Sequence, residues 1–229
     1  MNPNDPNVVL IETAAVALSA LLDRIVFIGG CSVGLLITDE ARPPIRATQD
    51  VDLIVEVGSK VEYYRLAEQL RSAGLVEDLD GVICRWRLGA LRIDVMPTDE
   101  EILGFSNRWY PEAMRDSQIV ALPSRREIRL ISAPLLLATK IEAFYGRGRG
   151  DFGGSHDIED IVNLIDGRQE LANEIAAAAP DVRNYLREEV DDLLASPFVD
   201  TIPWHLGPRP EDQVRTETVI ARMRIIAGL

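Results

Sequence analysis

Three aspartates lie in or beside predicted strands, and their spacing suits a metal site. Asp50 and Asp52 stand at the start of the predicted strand 51–57, and Asp94 lies within the predicted strand 91–96. Because side chains alternate between the two faces of a strand, Asp50 and Asp52 point to the same face. Aspartate is disfavoured in strands, and like charges on one face repel each other. A divalent cation would offset that repulsion, and an oxygen-only ligand set favours Mg²⁺ or Mn²⁺ over zinc.

A glycine-rich turn containing Gly29, Gly30 and Ser32 joins the predicted strand 25–28 to the predicted helix 32–37. Glycine lets the backbone approach a phosphate closely, and the first N–H groups of a helix bind anions. Ser32 would add a hydroxyl donor. A Gly-Gly pair is often only a tight turn, and an aspartate at a strand end is often only solvated. Together, the turn and the three aspartates favour a metal site beside a phosphate, and two such ions would suit in-line phosphoryl transfer.

Arg46 and Thr48 lie in the predicted loop 38–49 that leads to Asp50. An arginine at this place would neutralise a phosphate or brace the carboxylates. Pairing within the loop is the alternative, and the residue types alone do not decide between the two.

Lys140 lies on the predicted helix 133–145, where the side chains three and four positions away are apolar. Lysine is rarely buried without a partner, so we expect Lys140 to reach a triphosphate or, alternatively, a surface carboxylate. Asp157 and Asp160 follow on the predicted helix 155–165. Asp160 could reach Lys140 or a ligand, whereas Asp157 lies in the first turn, where the helix dipole stabilises a carboxylate without any further role.

Composition narrows the class of protein. The chain has 229 residues, 47% of them hydrophobic, so it can form a sizeable core. A net charge of −13 argues against broad, non-specific duplex binding but not against local contact with a nucleic-acid end. The only cysteines, Cys31 and Cys84, indicate no disulfide framework. We expect a cytoplasmic protein, because the N-terminus lacks the pattern of a signal peptide and no apolar run has the length of a membrane span.

The order of predicted elements indicates an α+β fold in α/β-like order, with a mixed sheet and flanking helices followed by a helical half. We place the boundary so that residues 1–131 form the sheet domain and residues 132–229 the helical domain. The predicted strands are 25–28, 51–57, 82–87, 91–96, 118–122 and 127–131, with a hairpin turn at 88–90. The predicted helices are 8–22, 32–37, 61–73, 133–145, 155–165, 170–179, 182–194 and 211–226.

Four short blocks of sequence form a known pattern. They are Phe27-Ile28-Gly29-Gly30, Arg46-x-Thr48-x-Asp50-Val51-Asp52-Leu53, Lys140 and Asp157-x-x-Asp160. In these blocks the chain resembles the nucleotidyltransferase superfamily and, within it, the AbiEii/MenT-type toxin nucleotidyltransferases. The resemblance covers about residues 25–166 and does not extend to the tail from residue 168 onward.

The resemblance implies a nucleotidyltransferase core in the first domain, with a nucleoside triphosphate in the cleft before the helical domain. It implies that Mg²⁺ (or Mn²⁺) is held by Asp50, Asp52 and Asp94. Alternatively, Asp94 serves as the base that accepts a proton. The residues that it assigns to the nucleotide are Gly29, Gly30, Ser32, Arg46, Thr48, Lys140 and Asp160. The residues that it assigns to catalysis are Asp50, Asp52, Asp94, Lys140 and Asp157.

The activity that follows from the resemblance is transfer of a nucleotidyl group from an NTP to an acceptor hydroxyl, with release of pyrophosphate. The expected acceptor is the 3′ end of tRNA, or the enzyme itself, and the expected context is a toxin–antitoxin system in which an antitoxin protein is a further partner. One alternative is a small-molecule, aminoglycoside-type nucleotidyltransferase, because an acidic surface suits a cationic acceptor. Another is a non-catalytic nucleotidyltransferase-like binding module, against which the presence of all three aspartates argues.

Overall fold

The computed structural model describes residues 2–39, 45–79, 82–147, 150–207 and 214–229. Within these residues, seven strands form one mixed sheet and eleven helices accompany it, which confirms the predicted α+β class and the helical C-terminal half. The strands are β1 Ile25–Ile28, β2 Asp50–Val55, β3 Val76–Glu77, β4 Arg85–Leu88, β5 Leu91–Pro97, β6 Gln118–Ala121 and β7 Glu127–Leu130. The helices are α1 Pro6–Ala17, α2 Gly30–Leu36, α3 Lys60–Ser72, α4 Glu100–Leu103, α5 Tyr110–Arg115, α6 Ala133–Arg147, α7 His156–Gly167, α8 Leu171–Ala177, α9 Pro180–Leu194, α10 Phe198–Leu206 and α11 Arg215–Ala227.

Strand β2 lies in the middle of the sheet, whose order is β3-β4-β5-β2-β1-β7-β6. It pairs antiparallel with β1 and parallel with β5. Its apolar side chains, Val51, Leu53, Ile54 and Val55, are fully buried, as expected for a central strand. The two aspartates of β2 are therefore held on a rigid element with a paired strand on either side.

The chain divides into two compact units. One lies within Met1–Leu35 and Arg46–Ser132, and the other within Leu36–Ile45 and Ala133–Leu229. The sequence-based division at 131/132 places residues 36–39 in the sheet domain. In the structure these residues group with the helices. Backbone hydrogen bonds explain this, because the N–H groups of Thr38 and Asp39 both donate to the carbonyl of Gly167 at the end of α7.

The hairpin β4–β5 has a shorter turn than the predicted 88–90. Leu88 pairs with Leu91, so only Gly89 and Ala90 form the turn. Gly89 has φ +60° and Ala90 is not in the left-handed region, as a type II′ turn requires. The shorter turn shifts the register by one residue, and in a strand this exchanges the faces to which side chains point.

Several helix boundaries differ from the sequence-based prediction. Helix α1 ends at Ala17 rather than at residue 22, and Leu21 and Arg24 make i−3 backbone bonds typical of turns. Ser155 stands at the N-cap position of α7, but its side chain makes no capping hydrogen bond. The sequence did not predict β3, α4, α5 or α10. Residues 40–44 of the predicted loop and 211–213 of the last predicted helix lie outside the described residues.

No helix in the described part of the chain is both long enough and apolar enough to cross a membrane.

Candidate active site

Strand pairing brings the three aspartates together on one face of the sheet. In the parallel pair β2–β5, Asp52 lies opposite Asp94, and Asp50 is two residues before Asp52 on the same face. Asp94 is buried and Asp50 is half-buried. Three carboxylates on two neighbouring strands form a concentrated negative charge that needs a counter-charge.

Arg85 on β4 supplies that counter-charge. It lies opposite Asp94 in the antiparallel pair β4–β5. Its Nε donates to Asp94 Oδ1 and its Nη2 to Asp94 Oδ2, both at 2.7 Å, and Nη2 lies 3.5 Å from Asp50 Oδ2. The side chains of Arg85 and Asp94 are only 16% and 11% exposed. The hydrogen bonds to Asp94 raise the pKa of the Arg85 guanidinium above its usual value, so the arginine stays charged.

Sequence reasoning missed Arg85, and the hairpin explains why. A three-residue turn at 88–90 would have placed Cys84 opposite Asp94, whereas the two-residue turn places Arg85 there. A two-residue Gly-Ala turn, had it been recognised, would have given this pairing, because Arg85 lies three residues before Leu88 and Asp94 three residues after Leu91.

Gly29 closes the other side of the carboxylates. It has φ +76°, and a Cβ at this position would come within 1.8 Å of Asp52 Oδ2. Ile28, the residue before it, lies opposite Asp52 in the β1–β2 pair. Glycine is thus required twice, for its backbone conformation and for the space that the Asp52 carboxylate occupies.

Helix α2 begins at Gly30, directly after the glycine turn, and the side chains that follow point inward. Ser32 is fully buried and its hydroxyl donates to the carbonyl of Ile28 at 2.7 Å, so its proton is engaged within the turn. Burial, followed by the charge of Asp52, raises the pKa of the Cys31 thiol to about 12. Cys31 is therefore a neutral core residue and not a nucleophile.

Asn7 on α1 holds the segment that contains Arg46 and Thr48. Its Nδ2 donates to the carbonyl of Arg46 at 3.0 Å, and its Oδ1 accepts from the Thr48 N–H at 2.8 Å. The Thr48 hydroxyl in turn contacts the carbonyl of Asp50 at 3.1 Å. Asn7 is buried and was not singled out from the sequence. The backbone leading to the aspartate pair is fixed by these bonds.

In the helical unit, Lys140 lies between two carboxylates of α7. Its Nζ is 3.2 Å from Asp157 Oδ1 and 2.6 Å from Asp160 Oδ2, and all three side chains are buried. Arg147 also binds Asp157, with Nε and Nη2 donating at 3.0 and 2.9 Å. Burial acts to raise the pKa of Asp157, but hydrogen bonds from Arg147 and the charge of Lys140 outweigh it and lower that pKa. The expected link of Lys140 to Asp160 is present, and its contact with a triphosphate stays a prediction.

Strand β2 carries carboxylate oxygens of the kind that the implied Mg²⁺ would need. In the described residues, no group of three or more His, Cys, Asp or Glu side chains is arranged to hold a metal ion. Arg85 donates a hydrogen bond to each oxygen of Asp94. Asp50 and Asp52 supply two carboxylates on one face of β2, and Gly29 leaves the space that the Asp52 carboxylate occupies. Mg²⁺ typically binds through one or two carboxylates together with substrate phosphates, so this pair fits the ion.

Comparison of the sequence with models of known protein families gives no match, and comparison with curated proteins gives none either.

Proposed function

We propose that this protein is a Mg²⁺-dependent nucleotidyltransferase that moves a nucleoside monophosphate from an NTP to an acceptor hydroxyl. The observation that carries the proposal is the placement of Asp50, Asp52 and Asp94 on one face of adjacent central strands, with Gly29 against Asp52. The carboxylates come from rigid paired strands rather than from loops, as a preorganised site requires. The sequence resemblance supports the same activity.

In the proposed reaction the acceptor oxygen forms a bond to the α-phosphorus of the NTP. The bond from that phosphorus to the bridging oxygen breaks, and pyrophosphate leaves with the electron pair. Asp50 and Asp52 would hold Mg²⁺, whose chemistry there is to neutralise phosphate charge and lower the pKa of the acceptor hydroxyl. The resemblance leaves two roles for Asp94, either as a further ligand of the cation or as the acceptor of the hydroxyl proton.

The resemblance points to the 3′ end of tRNA as the acceptor. The net charge of −13 favours a second candidate, a small cationic acceptor of the aminoglycoside kind, because an acidic surface attracts cations. Under the first candidate, binding to RNA is confined to a short end, since the chain lacks the positive charge that extended RNA contact needs.

The test uses NTPs labelled at the α-phosphate, each supplied with Mg²⁺ and the full chain. Total tRNA, an aminoglycoside panel, or no added acceptor is then offered. Label in tRNA supports the first candidate, label in an aminoglycoside supports the second, and label in the protein supports self-modification. A protein that transfers label to none of these, with any of the four NTPs, contradicts the proposed function.

A further inference from the structure

Arg85 is placed where a divalent cation would otherwise interact with the carboxylates. Its guanidinium makes two parallel hydrogen bonds to Asp94 at 2.7 Å and lies 3.5 Å from Asp50. Such charge-assisted pairs are stronger than neutral hydrogen bonds, and the two-pronged geometry also fixes their orientation. Both partners are largely shielded from water, so the attraction is screened less than at the surface.

The strand register fixes this arrangement. Arg85, Asp94 and Asp52 lie in one row across β4, β5 and β2, because Arg85 pairs with Asp94 and Asp94 with Asp52. Arg85 takes up two of the roughly four lone-pair sites of the Asp94 carboxylate. A cation on the remaining sites would bring a second positive charge beside a guanidinium that is only 16% exposed. Two neighbouring positive charges repel each other more strongly where water is largely excluded.

We infer that Arg85 and the divalent cation compete for the carboxylates of Asp94 and Asp50. Arg85 is thus a positioning residue that limits how tightly the aspartates bind a metal ion on their own. The inference rests on the proposed function, because it assumes that these aspartates bind the cation of the reaction. It adds a residue that neither the sequence motif nor the resemblance assigns.

The test measures Mn²⁺ binding by the full chain without nucleotide, from the electron paramagnetic resonance signal of free Mn²⁺. Arg85→Met keeps much of the side-chain volume and removes the charge. We expect its dissociation constant for Mn²⁺ to fall about tenfold or more relative to the wild-type chain. We also expect Mn²⁺ to raise the melting temperature of Arg85→Met more than that of the wild type, since the ion replaces the lost counter-charge. A general loss of structure would weaken binding, so tighter binding is specific to competition.

Arg87→Met is the matched control. Arg87 lies two residues along the same strand and the same face, but it pairs with Asp78 at 2.9 Å. Its loss should leave Mn²⁺ affinity unchanged. Arg85→Lys is a second variant for the case in which the methionine variant does not fold. It keeps the charge but loses the planar fork, so its affinity for Mn²⁺ should lie between that of the wild type and that of Arg85→Met.

Equal or weaker Mn²⁺ binding by both Arg85 variants, with binding by the wild type intact, overturns the inference and leaves the proposed function standing. If wild type and Arg85 variants all fail to bind Mn²⁺, the inference and the metal site of the proposed function fail together.

Discussion

At the scale of single residues, Gly29 and Asp52 depend on each other. The Asp52 carboxylate fills the space that any side chain at Gly29 would need. The left-handed φ of Gly29 turns the chain from β1 into α2 just where this carboxylate lies. A substitution at Gly29 therefore acts through the backbone and, separately, through the position of an oxygen donor.

We predict that Gly29→Ala separates these two effects. The positive φ alone should cost about 1–2 kcal/mol of unfolding free energy. Displacement of the Asp52 carboxylate should in addition weaken Mn²⁺ binding and nucleotidyl transfer. Gly104→Ala is the control, because Gly104 has φ +82° and open space around its Cβ position. Both variants should melt at lower temperature in thermal unfolding, but Gly104→Ala should retain wild-type Mn²⁺ affinity. Equal Mn²⁺ affinity in the two variants would count against the placement of Asp52 in the metal site.

The two cysteines should be inert in the folded protein. Burial, as the largest influence, raises the pKa of Cys31 and of Cys84 to about 12, and nearby aspartates raise both further. At pH 8 only about one such thiol in ten thousand would be ionised. We expect a thiol-specific chromogenic disulfide reagent to leave the native chain unlabelled and to titrate two thiols after unfolding in guanidinium chloride. Rapid labelling of the native chain would contradict the assignment of both as core residues.

The spacing of Asp50 and Asp52 was enough to predict that these two share a face, because a strand has a strict period of two. The partner of Asp94 could not be found in the same way. Its identity depends on hairpin register, and one residue in the turn decides whether Cys84 or Arg85 lies opposite. The Ser32 hydroxyl illustrates a different limit, since a phosphate donor and a donor to the carbonyl of Ile28 look alike in sequence.

At the scale of elements, the pair α6–α7 is joined by a buried charge cluster. Lys140 on α6 contacts both Asp157 and Asp160 on α7, and the two carboxylates act as its counter-ions. Breaking a buried ion pair leaves uncompensated charge and is costly, whereas an exposed pair contributes little. The cluster therefore stabilises the packing of α6 against α7, whatever part Lys140 takes in nucleotide binding.

We predict that Lys140→Met lowers the unfolding free energy by about 3 kcal/mol at neutral pH, because it leaves two buried carboxylates without their shared cation. Arg147→Met is the control. The Arg147 side chain is 71% exposed, and Asp157 keeps Lys140 as a partner after its loss, so the cost should be smaller, about 1 kcal/mol. Urea unfolding of both variants measures the difference, and a cost for Lys140→Met no larger than for Arg147→Met would refute the structural role.

The same variant should show a characteristic pH dependence. The pKa of Asp157 is lowered in the folded protein, so its ion pairs stabilise the fold above the usual carboxyl pKa of 3.8. That contribution is lost as the pH falls through the lower folded-state pKa. The unfolded state is common to both chains, so the stability gap between wild type and Lys140→Met should be constant near neutral pH. It should narrow in acid, because Asp157 without Lys140 takes up its proton at a higher pH than Asp157 of the wild type.

Element prediction succeeded where the pattern of apolar residues was strong. The all-apolar run of β1 and the amphipathic pattern of α7 gave both elements close to their observed bounds. Helix α10 was missed because Pro203 interrupts its pattern, although the helix accommodates this proline and buries Phe198 and Ile202. Strand β3 has only two residues and exists through pairing with β4, which no local signal reveals.

At the scale of the whole molecule, the chain forms two units with different architecture. The sheet unit carries the aspartates, Arg85 and Gly29, and the helical unit carries the Lys140 cluster. The change from mixed elements to helices near residue 132 was visible in the sequence. The grouping of residues 36–39 with the helices was not, because it depends on long-range bonds such as those from Thr38 and Asp39 to Gly167.

The central claim is tested most directly by transfer of label from α-phosphate-labelled NTP to an acceptor, comparing wild type with Asp52→Asn. Asp192→Asn, at an exposed position on α9, is the control for a lost negative charge. We predict Mg²⁺-dependent transfer by wild type and Asp192→Asn at similar rates, and a loss of at least about 100-fold in Asp52→Asn with its melting temperature retained. Transfer by Asp52→Asn at the wild-type rate would contradict the claim, as would a wild-type chain that transfers no label to tRNA, an aminoglycoside or itself.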